Sequence, residues 1–220
     1  MGKLRVGVIF GGRSAEHEVS LQSAKNIVDA LDRVRFEPVL IGIDKEGRWH
    51  LNDASDYLLN QENPALIALN RSNRELAVVP GKAEQQLVET GSRQLLDHVD
   101  VIFPIVHGTQ GEDGCLQGLL RMADIPFVGS DVLGSAICMD KDVSKRLLRD
   151  AGIAITPFIT LTRANAARTP FAEAQRKLGL PLFIKPANMG SSVGVSKVED
   201  EAAYDEAVRL ALAFDDKVLV

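Results

Sequence analysis

The sequence has 220 residues, of which 45% are hydrophobic and 25% are charged, and its formal net charge is −5. This composition is that of a globular protein with a sizeable core, in one large domain or two modest ones. The chain has no basic block for nucleic acid and no apolar run of membrane-spanning length, and its two cysteines are too few for a disulfide framework, so we expect a cytoplasmic protein.

The first part of the chain alternates strand and helix patterns. Residues 5–10 form an apolar run typical of a buried strand, which Gly11 and Gly12 close. Apolar residues then recur at helical spacing over residues 21–31, and residues 36–43 predict a second buried strand. This order indicates an α/β fold with a parallel sheet and a right-handed crossover.

The middle of the chain gives a weaker pattern. Residues 52–95 are polar, and we interpret them as an insertion or peripheral hairpin with one strand at residues 76–79. Residues 99–106 predict another buried strand, which a glycine-rich loop at residues 107–114 and a helix at residues 116–123 follow.

The pattern changes near Met139, where we place a domain boundary. The elements predicted after it are helices at residues 141–151, 170–178 and 201–214 and strands at residues 156–161, 182–186, 193–198 and 217–220. Because the chain ends inside an apolar strand, we expect the parent protein to continue after Val220.

The loop after the first strand contains the first candidate site residue. Ser14 and Ala15 stand where the third glycine of a G-x-G-x-x-G fingerprint would fall, which disfavours a dehydrogenase. Glu16 begins a helix, where a carboxylate interacts favourably with the helix dipole. Alternatively, it faces the crevice at the ends of the strands and holds a substrate ammonium group.

The glycine-rich loop at residues 107–114 contains the second candidate. A loop of this composition at the carboxyl edge of a parallel sheet usually lines a ligand crevice. We expect His107, at the tip of the strand, to contact a ligand, and we expect Glu112 and Asp113 to stabilise the turn.

A third candidate region follows the strand at residues 182–186. Lys185 lies late in this apolar strand, and burying an unpaired ammonium group is costly, so we expect it to face a ligand. Residues 190–194 form a small-residue loop whose N–H groups can contact phosphate, although the lysine precedes the glycines and the pattern is therefore not a P-loop.

These segments together resemble the D-alanine–D-alanine ligases of the ATP-grasp superfamily, over essentially the whole chain and with the A isozyme as the closest type. The resemblance implies a pre-ATP-grasp, Rossmann-like substrate domain at residues 1–139 and the first, incomplete part of an ATP-grasp domain at residues 140–220. The motifs that carry it are G-G-R-S-A-E-H-E-V-S at 11–20, H-G-x-x-G-E-D-G-x-L-Q-G at 107–118, M-D-K at 139–141, and K-P at 185–186 with G-S-S-V-G at 190–194.

The resemblance also implies roles for individual residues. Glu16 would hold the ammonium group of the first D-alanine, and His107 would lie beside its carboxylate. Ser191 would hydrogen-bond to Glu16 and help to close the phosphate loop. The residues that would contact ATP phosphates are Lys141, Lys185, Gly190, Ser191, Ser192 and Val193, although Lys141 taken alone is typical of a solvated helix face.

The implied reaction forms D-alanyl-D-alanine for peptidoglycan through an acyl phosphate, with ATP and Mg²⁺, in a homodimer. The metal ligands and the second alanine subsite are expected beyond residue 220. Two alternatives remain open: a D-alanine–D-lactate ligase, because the acceptor is selected in the absent part, and a non-catalytic nucleotide-binding module.

Overall fold

The computed structural model describes residues 2–81 and 86–220. The chain splits into two compact units, Met1–Gly134 and Ser135–Val220. The division falls a few residues before the predicted boundary near Met139. Within the described residues, no helix is long and apolar enough to cross a membrane.

The first unit is built mainly of strands. Its elements, in chain order, are β1 (Leu4–Gly11), α1 (His17–Ala30), β2 (Phe36–Ile43), β3 (Trp49–Asn52), β4 (Leu58–Leu59), β5 (Ala68–Leu69), β6 (Glu75–Val78), β7 (Leu87–Glu89), β8 (Val101–Pro104) and α2 (Cys115–Met122), and α3 (Val132–Met139) spans the division. Six strands form one sheet in the order β7–β6–β3–β2–β1–β8, and β4 pairs with β5.

The centre of this sheet confirms the predicted parallel arrangement. Strand β1 pairs in parallel with β2 on one side and with β8 on the other. Val8, Ile9 and Phe10 are fully buried because β1 is covered on both faces. The carboxyl ends of β1 and β8 therefore lie side by side, and the loops that follow them meet at one edge of the sheet.

The interpretation of residues 52–95 as an insertion or peripheral hairpin is confirmed in part, because β6 and β7 pair in antiparallel fashion at one edge of the main sheet. The predicted strand at residues 76–79 is present as β6, but β3, β6 and β7 extend the main sheet in antiparallel fashion. Strands β3 and β7, of four and three residues, are too short to produce a clear alternating pattern, so the sequence did not reveal them. Residues 82–85 of this segment lie outside the described residues.

The second unit packs helices on an antiparallel sheet. Its elements are α4 (Lys141–Asp150), β9 (Thr160–Thr162), a short 3₁₀ helix (Ala166–Arg168), α5 (Phe171–Leu178), β10 (Leu182–Pro186), β11 (Ser196–Val198), α6 (Glu201–Phe214) and β12 (Lys217–Leu219). The strand order is β11–β10–β12–β9. Leu161, Ile184 and Tyr204 are buried in its core.

Three predicted strands are longer than the observed ones by three residues or more. The strand predicted at residues 99–106 is β8, which has four residues. The strand predicted at 156–161 begins only at Thr160, and the one predicted at 193–198 begins only at Ser196. In the last case the N–H groups of Val193 and Val195 close turns onto Gly190 and Ser192, which delays the strand.

Candidate substrate and nucleotide sites

The structure brings Glu16 and His107 together at the edge of the first sheet. Glu16 follows the loop after β1, and His107 follows β8, the parallel neighbour of β1. A methyl group placed on Gly108 would lie 2.7 Å from Glu16 Oε2, and Gly108 has a φ of +75°. Glycine at this position therefore leaves the space that the Glu16 carboxylate occupies.

The Glu16 side chain does not cap the helix that it begins. Glu16 is the N-cap residue of α1, yet its carboxylate makes no capping hydrogen bond to the helix. The side chain is buried, with 8% of the residue exposed. A buried carboxylate is stabilised by hydrogen-bond donors and cationic groups around it, so the Glu16 carboxylate is suited to contact a cationic ligand group.

Ser14 connects the two loops through one hydroxyl group. Its Oγ donates to the carbonyl oxygen of His107 at 2.6 Å, and the N–H of Glu16 donates to the same Oγ at 3.1 Å. The backbones of the two candidate substrate-binding residues are thus held at a fixed separation by a long-range contact that a sequence pattern does not display.

The glycine-rich loop is also stabilised from within, as expected for its two acids. Glu112 Oε2 accepts the N–H of Gly108 at 2.7 Å. The Asp113 carboxylate accepts the N–H of Gln110 at 2.8 Å and that of Cys115, the first residue of α2, at 3.0 Å. These hydrogen bonds therefore fix the backbone of the loop that begins at His107.

The His107 ring has a neighbour at each nitrogen. Nε2 lies 2.9 Å from Ser23 Oγ on α1, and Nδ1 lies 4.0 Å from Glu112 Oε1. The side chain is 26% exposed. Ser23 was not predicted as a site residue, because a serine within an amphipathic helix has no distinguishing pattern.

In the second unit, the loop after β10 is held at its beginning. Lys141 Nζ donates to the carbonyl oxygens of Ala187 at 3.2 Å and Met189 at 2.5 Å. Asp215 Oδ2 accepts both the backbone N–H of Asn188 at 2.7 Å and its side-chain amide at 3.0 Å. In this structure the Lys141 amine therefore supports the loop, and its contact with phosphate remains a proposal.

The tip of the same loop has an uncommon backbone. Ser191 and Ser192 have φ values of +46° and +62°, in the left-handed region that side chains disfavour. The N–H of Val193 donates to the carbonyl oxygen of Gly190 at 3.0 Å. A phosphoryl group that used the Val193 N–H would have to share or replace this turn hydrogen bond.

Lys185 faces a cavity that contains a second lysine. Lys185 and Lys145 both line a cavity of about 310 Å³, whose walls include Phe158, Phe183 and Leu219. Lys145 Nζ lies 5.1 Å from the centroid of the Phe158 ring. Burial lowers the pKa of Lys145, and the charge of Lys185 lowers it further. Two cations beside apolar walls suit a flat ligand that carries negative charge.

A network of charged groups fixes the start of α4, where Lys141 lies. Asp140 caps the helix by accepting the N–H groups of Asp142 and Val143. Asp142 accepts hydrogen bonds from Thr160 Oγ1 at 2.6 Å and Arg146 Nε at 2.7 Å. Burial alone would raise the pKa of Asp142, but these hydrogen bonds and the charges of Arg146 and Lys217 hold it below its usual range.

The ligands of the Mg²⁺ ion that the family resemblance implies are expected beyond residue 220. Within residues 2–81 and 86–220, no group of three or more His, Cys, Asp or Glu side chains converges as metal ligands would. Mg²⁺ requires oxygen ligands in near-octahedral geometry, so no reaction step is assigned to a metal held by this part of the chain.

Comparison with known proteins agrees with this arrangement. A family model described as the D-ala D-ala ligase N-terminus matches residues 5–130, and one described as the D-ala D-ala ligase C-terminus matches residues 147–220. D-alanine--D-alanine ligase A of Escherichia coli (strain K12) is 69% identical over 220 residues, and that of Salmonella typhimurium (strain LT2) is 67% identical. The chain covers 60% of the length of each of these relatives.

Solved structures of ligases share the fold. The VanG D-Ala:D-Ser ligase from Enterococcus faecalis aligns over 99% of this chain and 62% of its own, with a TM-score of 0.83 and 36% identity. The D-alanine-D-alanine ligase from Coxiella burnetii aligns over 100% of this chain and 61% of its own, with a TM-score of 0.83 and 35% identity. The expected α/β, ATP-grasp-type fold class is confirmed, and because the N-terminal model alone matches more than half of the sequence, the chain belongs to the D-alanine–D-alanine ligase family.

Proposed function

We propose that the parent protein joins two D-alanines with ATP to make D-alanyl-D-alanine for peptidoglycan synthesis. The observation that carries this proposal is the convergence of Glu16 and His107 beside Gly108 at the edge of the first sheet. The chain spans about 60% of the length of the curated relatives it matches, so the activity is proposed for the whole protein.

In this proposal the first crevice holds one amino acid by its two charged groups. The buried Glu16 carboxylate binds the ammonium group, and the His107 imidazole lies beside the carboxylate. A carboxylate and an imidazole on backbones at a fixed separation favour a zwitterion of one size, and the Ser14 bridge maintains that separation of the backbones.

The second unit is proposed to hold the nucleotide. Lys185 neutralises phosphate from the lysine-lined cavity, while Lys141, Gly190, Ser191, Ser192 and Val193 form the phosphate-binding side of the loop. The left-handed Ser191 and Ser192 support this role, because strained backbone is commonly retained where it serves binding. The apolar walls beside Lys185 fit the base.

The proposed reaction has two steps. A carboxylate oxygen of the first D-alanine attacks the γ-phosphorus of ATP, and the bond to the ADP oxygen breaks, which leaves an acyl phosphate. The amine of the second D-alanine then attacks the acyl carbon, inorganic phosphate departs, and the amine loses a proton. Positioning and charge neutralisation provide most of the catalysis in such transfers. Mg²⁺ would contribute charge neutralisation, with ligands from outside the described residues.

The names of the similar proteins differ in the second substrate. The structurally similar VanG protein is named a D-Ala:D-Ser ligase, and a D-alanine–D-lactate ligase was the alternative from sequence. The curated relatives at 67% to 69% identity are named D-alanine--D-alanine ligase A, which favours D-alanine as acceptor. Homodimer formation is proposed from the family resemblance alone, and a cytoplasmic location from the composition of the sequence.

The direct test is phosphate release by the whole protein with ATP, Mg²⁺ and D-alanine. We expect release that depends on D-alanine, with D-alanyl-D-alanine as the product in mass spectrometry. Release that is independent of D-alanine, or equal with L-alanine, would refute the proposal. In a parallel reaction that also contains D-lactate, D-alanyl-D-lactate as the main product would replace it with the alternative.

A further inference from the structure

His107 is held at its backbone and at its ring by two different serines. Ser14 contacts the backbone: its hydroxyl donates to the His107 carbonyl oxygen at 2.6 Å. The ring is engaged separately, by the hydroxyl of Ser23 at 2.9 Å from Nε2. The orientation of the imidazole is therefore set by a contact 84 residues away in sequence.

Two serines of helix α1 contact the segment that follows β8. Ser20, one turn earlier on α1, donates its hydroxyl to the carbonyl oxygen of Ile105, two residues before His107, and accepts the N–H of Gly11. Residues three apart on a helix share a face, so Ser20 and Ser23 reach successive points along the segment that follows β8. Ser20 binds only main-chain groups there, whereas Ser23 binds the ring.

The hydrogen bond from Ser23 decides which ring nitrogen remains for a ligand. A serine hydroxyl can donate to a neutral Nε2 or accept from a protonated one. In both cases Nε2 is occupied, and Nδ1, on the side of Glu112, is the nitrogen left for a ligand. Nδ1 can donate to a substrate carboxylate when it carries a proton, as it does in a neutral ring whose Nε2 accepts from Ser23. Fixing the second nitrogen of a histidine is a common way to set its tautomer and direction.

We propose that Ser23 is a positioning residue of the first amino-acid subsite, which keeps His107 Nε2 engaged so that Nδ1 is presented to the substrate carboxylate. The proposal deepens the proposed function and rests on it for the identity of the substrate. The orientation of the ring, however, is a property of this chain that can be measured without turnover.

The test compares Ser23→Ala and Ser23→Thr in the whole protein. We expect Ser23→Ala to raise the KM for the first D-alanine roughly 3-fold to 10-fold, the effect of one lost hydrogen bond, and to change the KM for ATP less than about twofold. The side-chain ¹⁵N signal of His107 Nε2 should move in Ser23→Ala. Ser23→Thr keeps the hydroxyl and should restore both readouts.

Ser20→Ala is the matched control, because it removes a hydroxyl of the same helix that contacts only backbone groups, those of Gly11 and Ile105. It should lower the melting temperature and leave the His107 ring signal in place. An unchanged ring signal in Ser23→Ala, or equal rises in both KM values, would overturn the proposal. A shifted ring signal in a protein without D-alanine activity would keep the positioning role and refute the proposed function.

Discussion

The two loops that carry the candidate site residues differ in how they are held. The loop at residues 107–114 is closed by its own acids and tied to the loop after β1 by Ser14. The loop after β10 is anchored at its beginning by Lys141 and Asp215, while its tip adopts a left-handed backbone at Ser191 and Ser192. The first loop is thus hydrogen-bonded internally and to a neighbouring loop, and the second is hydrogen-bonded at its beginning.

The two regions also differ in how their charges are balanced. Around the first crevice, acids accept backbone N–H groups and lie beside a histidine. Beside the second loop, Lys145 and Lys185 face one cavity, and neither forms an ion pair with another described residue. Preformed hydrogen bonds suit recognition of a small zwitterion, whereas unbalanced cations suit a polyanion whose phosphates supply the missing charge.

The largest effect is expected from removing the positive charge of Lys185, which lines the cavity of the second unit. Lys185→Met in the whole protein should raise the KM for ATP roughly 10-fold to 100-fold, because a charge-assisted contact is lost, with a much smaller change for D-alanine. The matched control is Lys197→Met, on the neighbouring strand, where the amine pairs with Glu199 at the surface. Equal effects of the two substitutions would show that the cavity does not bind the nucleotide.

Gly108→Ala should destabilise the loop at residues 107–114. The new methyl group would meet the Glu16 carboxylate at a left-handed backbone position, so we expect a loss of about 1–3 kcal/mol in the free energy of unfolding and a raised KM for D-alanine. Gly129→Ala is the control, because Gly129 also has a positive φ but has open space around its Cβ position. Denaturant titration of both variants measures the difference, and a Gly108→Ala cost no greater than that of Gly129→Ala would contradict it.

A smaller effect is expected at Asp142, whose hydrogen bonds hold the start of α4. Asp142→Asn should cost about 1–2 kcal/mol of stability at neutral pH, since a buried, hydrogen-bonded carboxylate loses its charge. The pKa of Asp142 is held below its usual range, so its contribution is present above the unfolded value of 3.8 and is lost as the pH falls through the lower folded pKa.

Unfolding measured against pH therefore separates this contribution from others. The gap between the wild-type protein and Asp142→Asn should narrow below about pH 3.8. Asp150→Asn, at the exposed end of the same helix, is the control and should change stability little. A gap that stays constant with pH would mean that Asp142 acts through packing and not through its charge.

The sequence predicted those parts of the fold that have long, regular patterns. Strand β2 and helix α6 were predicted with their observed bounds, because each has enough residues to display its period. Strands β3 and β7 and helix α3 were not predicted. The strands are too short, and α3 is a short, mostly apolar segment without a polar face to reveal a helical period.

Within the candidate sites, the sequence identified residues with distinctive chemistry and missed those that hold them. Glu16, His107 and Lys185 stand out because each charged or titratable group adjoins glycines or an apolar strand. Ser14 and Ser23 act through partners more than 80 residues away, which no local pattern encodes. Asp215 likewise holds Asn188 from 27 residues away, at the end of α6.

The most direct test of the proposed division of labour is the kinetics of Glu16→Gln in the whole protein. The substitution keeps the size of the buried side chain and removes the charge that is proposed to bind the ammonium group. We expect the KM for the first D-alanine to rise roughly 10-fold to 100-fold, while that for ATP changes less than about twofold. Comparable rises in both constants would contradict the account and would mean that Glu16 serves the structure of the loop and not the substrate.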